Sequence, residues 1–341
     1  MTRHRGWFIL PLALLGGLLG AVSGEAQEVF VSNQTNNSIT VFSRTATGDS
    51  TPTRTIIGAA TGMNGPWHLA LDLTNNELFV ANIGNNSITV YGRTASGNVA
   101  PTRTIIGAAT GMNGPRALAL DLTNNELFVG NYLNNSITVF SRTATGDSTP
   151  IRTIVGGLTG LSEPAGLALD LTNNELFVSN PGSGQSITVY SRTATGDSTP
   201  TRTIVGGLTG LSNPLGLALD LTNNELFVGN YLNQSITVYS RTATGDSTPT
   251  RTIVGGLTGL NGPTGLALDL TNNELFVANI NVNSITVYGR TADGDVLPTR
   301  TISGGNTGLN APIGLVLSGW VTLFADGFET GDLTGWSSSV P

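Results

Sequence analysis

The chain has no cysteine and no lysine, and only two of its 341 residues are histidine. Absent cysteine excludes disulfides, thiolate metal sites and thiol lipidation, so packing alone must hold the fold. Absent lysine makes every one of the 15 cations an arginine, and charged residues are just 11% of the whole. Cations this sparse exclude the dense basic footprint that nucleic acid requires. One histidine lies at position 4, which leaves His68 alone for any metal or triad chemistry. Runs of like charge are missing too, so no segment reads as a charged, disordered tail.

A long apolar run occurs once, over residues 7–22, after Arg3, His4 and Arg5 and before small residues ending Gly24-Glu25-Ala26. A basic head, a short apolar centre and small residues at the cut describe a secretory signal peptide over 1–26, cleaved after Ala26. The run contains Pro11 and is brief for a span, which needs about 20 apolar residues. An uncleaved anchor is the alternative. Removal of the leader leaves 13 basic and 21 acidic residues, a net charge of −8, and no integral membrane span. The expected location is secreted or periplasmic.

What is abundant is repetition. The stretch Leu69-Ala70-Leu71-Asp72 returns at 118–121, 167–170, 217–220 and 266–269, with a degraded copy at Leu315-Val316-Leu317. The Asp-to-Asp spacings are 49, 49, 50 and 49 residues. A fixed period near fifty marks a repeat architecture. In the unit at 115–163, an apolar run to Asp121 predicts strand A, and Asn124-Asn125 suits a tight hairpin. Strand B follows over 126–131 and strand C over 136–140, where apolar and polar residues alternate. A turn at 142–147 leads to strand D over 151–155, rich in β-branched residues. No helical period occurs.

Strands A and B are apolar on both faces, so each sheet must be covered on both sides, as radial stacking of blades does. A β-solenoid is the rival, but its coils are shorter and lack repeated hairpins. Strands A, B, C and D each occur six times, starting with a B strand at residue 28 and ending with an A strand at 315. The expected fold is therefore all-β: a six-bladed β-propeller over 27–318, four antiparallel strands per blade, closed by the C-terminal strand A joining N-terminal strands B–D.

The stretch Asn113-Gly114-Pro115-Arg116-Ala117-Leu118-Ala119-Leu120-Asp121, with Leu127-Phe128-Val129-Gly130-Asn131 and Ser136-Ile137-Thr138-Val139-Phe140, resembles the NHL repeat. Leu78-Phe79-Val80-Ala81-Asn82 with Ser87-Ile88-Thr89-Val90-Tyr91 is similar to the YVTN propeller repeat. These resemblances imply the propeller over about 27–317. They do not choose an activity, since such families include protein-binding, RNA-binding, lyase and lactonase members.

Candidate functional residues come from where the repeats differ. The A-to-B and C-to-D turns are nearly monotonous, whereas the D-to-A and B-to-C loops, on the opposite face, vary. After the loop proline stand Trp67, Arg116, Ala165, Leu215, Thr264 or Ile313; the B-to-C loops carry Ile83, Tyr132, Pro181, Tyr231 or Ile280. The loop at 181–185 is one residue longer than its counterparts. Trp, Tyr and Arg carry most energy at interfaces, so the binding set is Trp67, His68, Arg116, Tyr132 and Tyr231, with Asn82, Asn131 and Asn230. Arg116 stands apart because the other arginines beyond residue 26 sit at regular strand C and D positions. Drift among duplicated, tolerant loop tips would give the same pattern.

The strand-B asparagines either line a polar funnel or cap their own loops. The strand-A aspartates read as acceptors holding the Asn-Asn hairpin, since Asp72, Asn75 and Glu77 match no dense calcium loop. Arg142 and Arg152 are expected to face each other around Asp147 as exposed pairs of little worth.

No residue set reads as catalytic, and no metal site or cofactor is expected. The expected function is an exported, non-catalytic binding or scaffold module, monomeric, with a protein or glycan partner at the variable rim. The alternative is a lactonase-like or lyase-like enzyme using Glu163, His68 or rim asparagines with a divalent metal at the channel mouth. The segment 319–341, with Asp326-Gly327-Phe328-Glu329-Thr330-Gly331-Asp332, breaks the repeat. It resembles a motif at the ends of secreted bacterial proteins and at the front of lectin-like jelly rolls, so a structural envelope protein displayed through this tail is the third reading.

Overall fold

One repeat makes one blade because its apolar residues need cover on both faces. In the second blade, strand A is Pro115–Asp121, B is Glu126–Asn131, C is Ser136–Ser141 and D is Arg152–Ile154. The computed structural model describes residues 27–319, in which six such four-stranded antiparallel sheets form. The proposed leader and the tail beyond residue 319 lie outside the described residues. No helix among the described residues is long and apolar enough to cross a membrane.

The A-to-B hairpin turns through Asn125 at φ 57°, a left-handed conformation that asparagine tolerates. Asp121 stabilises it, accepting from the Asn124 backbone N–H at 2.9 Å and from Asn124 Nδ2 at 2.8 Å. The expected role of the strand-A aspartates is thus met.

The core lies between blades. Ala117, Phe128, Ile137, Val139 and Ile154 pack against Leu161, Leu167, Leu176, Val178 and Tyr190 of the next blade. Equivalent clusters fill the other five interfaces, closing the circle. A fully buried side chain of this kind contributes about 1.5–3 kcal/mol. The polar residues of strand C are inside as well: Thr138 is 1% exposed and accepts from Asn131 Nδ2 at 3.0 Å. Alternation in this strand therefore does not signal a wet face.

Closure occurs as the repeat count demands. The last strand, Pro312–Leu317, pairs antiparallel with Glu28–Asn33, setting Val29 against Leu317, Phe30 against Val316 and Val31 against Leu315. On the circumference each short strand D is bridged to the C-to-D loop of the following blade, as Ile105 to Gly146 and Ile154 to Gly196. This covers the edge that a free outer strand would present for aggregation.

The arginine pairing differs from the sequence expectation. Arg142 and Arg152 do not flank Asp147, whose carboxylate instead accepts from the Ala109 N–H of the preceding blade at 2.7 Å. Each strand-B glutamate is clamped between the strand-D arginine of its own blade and an arginine of the next. Glu126 accepts from Arg152 through both oxygens and from Arg192 Nη1 at 2.8 Å. Arg192 also lies 3.0 Å from Asp121. Six glutamates from Glu28 to Glu274 repeat this clamp, so the charges tie blades together. These pairs are mostly shielded from water, unlike the exposed pairs expected from sequence. The acids weighed for calcium, Asp72 and Glu77, are engaged by Arg142 at 3.0 and 2.7 Å.

Candidate functional site

The D-to-A and B-to-C loops emerge together and are stapled by backbone bonds. In the second blade the Tyr132 N–H donates to Gly114 O at 2.9 Å, and Leu133 N–H to Asn113 O at 3.1 Å. Asn135 Oδ1 then accepts from the Glu163 N–H at 2.7 Å, gripping the connection to the third blade. Such loops are ordered in advance, which lowers the entropic cost of binding.

Each D-to-A connection passes a left-handed residue before its proline. Gly65, Gly114 and Gly262 hold φ of 60°, 63° and 64°, where glycine is at ease. Glu163 stands at the same place with φ 60° and Asn213 with φ 54°. A glutamate there is strained, and strain of this kind gathers at functional sites.

Four of the residues chosen from sequence converge. Trp67, Arg116, Tyr132 and Tyr231 line one cavity of about 250 Å³, together with Glu163, Asn213 and apolar neighbours that include Leu215. The Arg116 guanidinium carbon lies 4.3 Å from the Trp67 ring centre and 3.4 Å from that of Tyr132. Trp67 is thereby buried, with 9% of its surface exposed. Every other arginine among the described residues pairs with a carboxylate; Arg116 forms no ion pair. Its Nε, like that of each strand-D arginine, is buried without a hydrogen-bond partner. Burial pulls the Arg116 pKa down, and Tyr132 and Glu163 act against that shift.

The remaining choices sit elsewhere. His68 does not line the aromatic cavity; it lines a narrower one of about 130 Å³ in the central channel, among Leu69, Leu118, Leu167, Leu217, Leu266 and Leu315. Burial there, and then the charge of Arg116, lower its pKa to about 4. The folded chain then binds fewer protons than the unfolded one between pH 6.5 and about 4, so stability should fall as pH drops through that window. His68→Ala should flatten the fall in thermal midpoint over this range; an unchanged slope would remove His68 as its source.

Asn82, Asn131 and Asn230 are fully buried and offer no amide to a partner. Asn131 Oδ1 accepts from the Asn113 N–H at 3.3 Å while its Nδ2 donates to Thr138, and Asn82 and Asn230 repeat the pattern. They brace the rim from beneath and do not line a funnel. His68 and Glu163, invoked for the metal-dependent alternative, line different cavities. Among the described residues, no three His, Cys, Asp or Glu side chains gather as a metal group would require. Asn213 escaped the sequence reading, although its replacement of a loop glycine was the available signal.

Residues 21–112 match a family model described as Lactonase, 7-bladed beta-propeller. That segment spans three strands of the closing blade and the whole first blade, in a ring that has six. No curated protein matches the chain. Among solved structures, a chain of the crystal structure of the nidogen/laminin complex is similar, with a TM-score of 0.63 and 16% identity over 85% of this chain and 98% of that one. A functionally unknown protein from Desulfotomaculum acetoxidans DSM 771 is similar with a TM-score of 0.54 and 13% identity, over 82% of this chain and 80% of that one. These likenesses support the β-propeller fold.

Proposed function

We propose that the chain is an exported, non-catalytic binding module, a monomeric propeller of NHL- or YVTN-type repeats that captures a protein partner at its variable rim. The observation that carries this reading is the convergence of Trp67, Arg116, Tyr132 and Tyr231 on one cavity, although they come from three separate repeats. Trp, Tyr and Arg anchors clustered in a pocket are what concentrates binding energy at interfaces. At about 250 Å³ the cavity is smaller than the roughly 300–1,000 Å³ of small-molecule sites, so it suits an anchoring side chain. The similar chain in the nidogen/laminin complex belongs to a protein assembly, which supports a protein partner here.

The variant Trp67→Ala/Arg116→Ala/Tyr132→Ala should keep cooperative unfolding yet retain at least about tenfold less partner from the extracellular fluid of the producing cells. Equal capture by both proteins would refute the rim as the site. A metal-dependent, lactonase-like enzyme is the second reading, favoured by the match over residues 21–112. Stoichiometric metal in purified protein, with lactone hydrolysis lost on changing His68 or Glu163, would promote it.

A further inference from the structure

We infer that Arg116 anchors a carboxylate of the polypeptide partner, an Asp or Glu side chain entering the rim cavity; this rests on the rim being the capture site. Arg116 lies over the rings of Trp67 and Tyr132, at 4.3 and 3.4 Å from their centres. With Nε buried and Tyr132 already acting on the guanidinium, a partner entering the cavity would meet its outer Nη edge. A carboxylate meets that edge with two parallel bonds. The protein uses the same pairing repeatedly within its own lattice, where Arg152 holds both oxygens of Glu126. Among the described residues no carboxylate lies within ion-pair distance of Arg116, on which Glu163 acts only at longer range. Stacking also restrains its side chain in advance, so less freedom is lost when the bonds form.

The neighbours narrow the class further. Glu163 lines the same cavity and would repel a multiply charged phosphate more than a single carboxylate. Three of the polar groups that could read sugar hydroxyls are engaged. Asn213 Nδ2 donates to Pro181 O at 3.4 Å, and Tyr231 Oη donates to Asn281 Oδ1 at 3.4 Å. Thr264 Oγ1 donates to Ile313 O at 3.2 Å and is 2% exposed. Pro181, Leu215 and Ile280 complete the wall with apolar surface that suits side-chain methylenes.

The test titrates the purified chain with capped Gly-Glu-Gly, capped Gly-Gln-Gly, digalacturonate and inorganic phosphate at low salt, read through the Trp67 indole N–H resonance. The glutamate peptide should bind about tenfold tighter than the glutamine peptide, the weight of one charge-assisted contact. Arg116→Lys, which keeps charge but loses the fork, should weaken the glutamate peptide about tenfold and leave the glutamine peptide unchanged. Equal binding of the two peptides, or an indifferent Arg116→Lys, overturns the inference. Digalacturonate or phosphate binding more tightly than the glutamate peptide overturns the polypeptide carboxylate. If the triple rim variant loses capture while the two peptides bind equally, the rim reading stands and this inference alone falls.

Discussion

Excision of Pro312–Leu317 is expected to abolish cooperative unfolding. That segment is the inner strand of the closing blade, and it covers Val29 and Val31, which are fully buried. Its loss removes the buried Ile313 and Leu315, about 1.5–3 kcal/mol each where burial is complete, together with the partly buried Val316 and Leu317. Those two side chains alone amount to about 3–6 kcal/mol, which already reaches the lower part of an ordinary domain's roughly 5–15 kcal/mol, and the lost pairing with Glu28–Asn33 adds to it. A thermal scan by near-ultraviolet circular dichroism should show a broad, featureless decline. A transition at the wild-type midpoint would show that this strand does not hold the circle shut.

Glu126→Ala should cost about 3 kcal/mol, the low end for breaking a buried ion pair. The low end applies because Glu126 and its two arginines keep 11–15% of their side-chain surface exposed. Without the glutamate, Arg152 and Arg192 face one another across the blade boundary with less compensating charge; Arg192 retains only Asp121. Asp147→Ala, by contrast, removes one exposed bond to the Ala109 N–H and should cost under about 1 kcal/mol. Urea midpoints of the two variants decide the matter. Equal losses would mean that the inter-blade clamp has no special weight.

The architecture was readable because duplication displays the strand pattern six times, and counting strands from Glu28 to Leu317 predicts which two must pair. The arginine lattice was not, because the arginine after each strand C reaches carboxylates of the preceding blade. Arg192 reaches Glu126, 66 residues earlier, while spacing inside one repeat points to the neighbouring Asp147 series. The rim was half legible. Trp67 and Arg116 occupy one position in consecutive inner strands, so a shared cavity follows from the repeat alone. The strand-B asparagines misled because a polar residue at a strand end reads equally as lining or as brace. Only the bonds from Asn113 and to Thr138 distinguish the two. His68 follows Trp67 in the chain yet lines the central channel and not the aromatic cavity, a separation that adjacency in sequence does not reveal.

Strand Glu28–Asn33 enters the ring where strand Pro312–Leu317 leaves it, and Ser318 N donates to Glu28 O at 2.9 Å. Both junctions thus fall at the end of the blade that carries the A-to-B hairpins, opposite the aromatic cavity. Chain continued from either junction therefore leaves the propeller on the side away from the aromatic cavity, which any added segment leaves uncovered at its point of attachment.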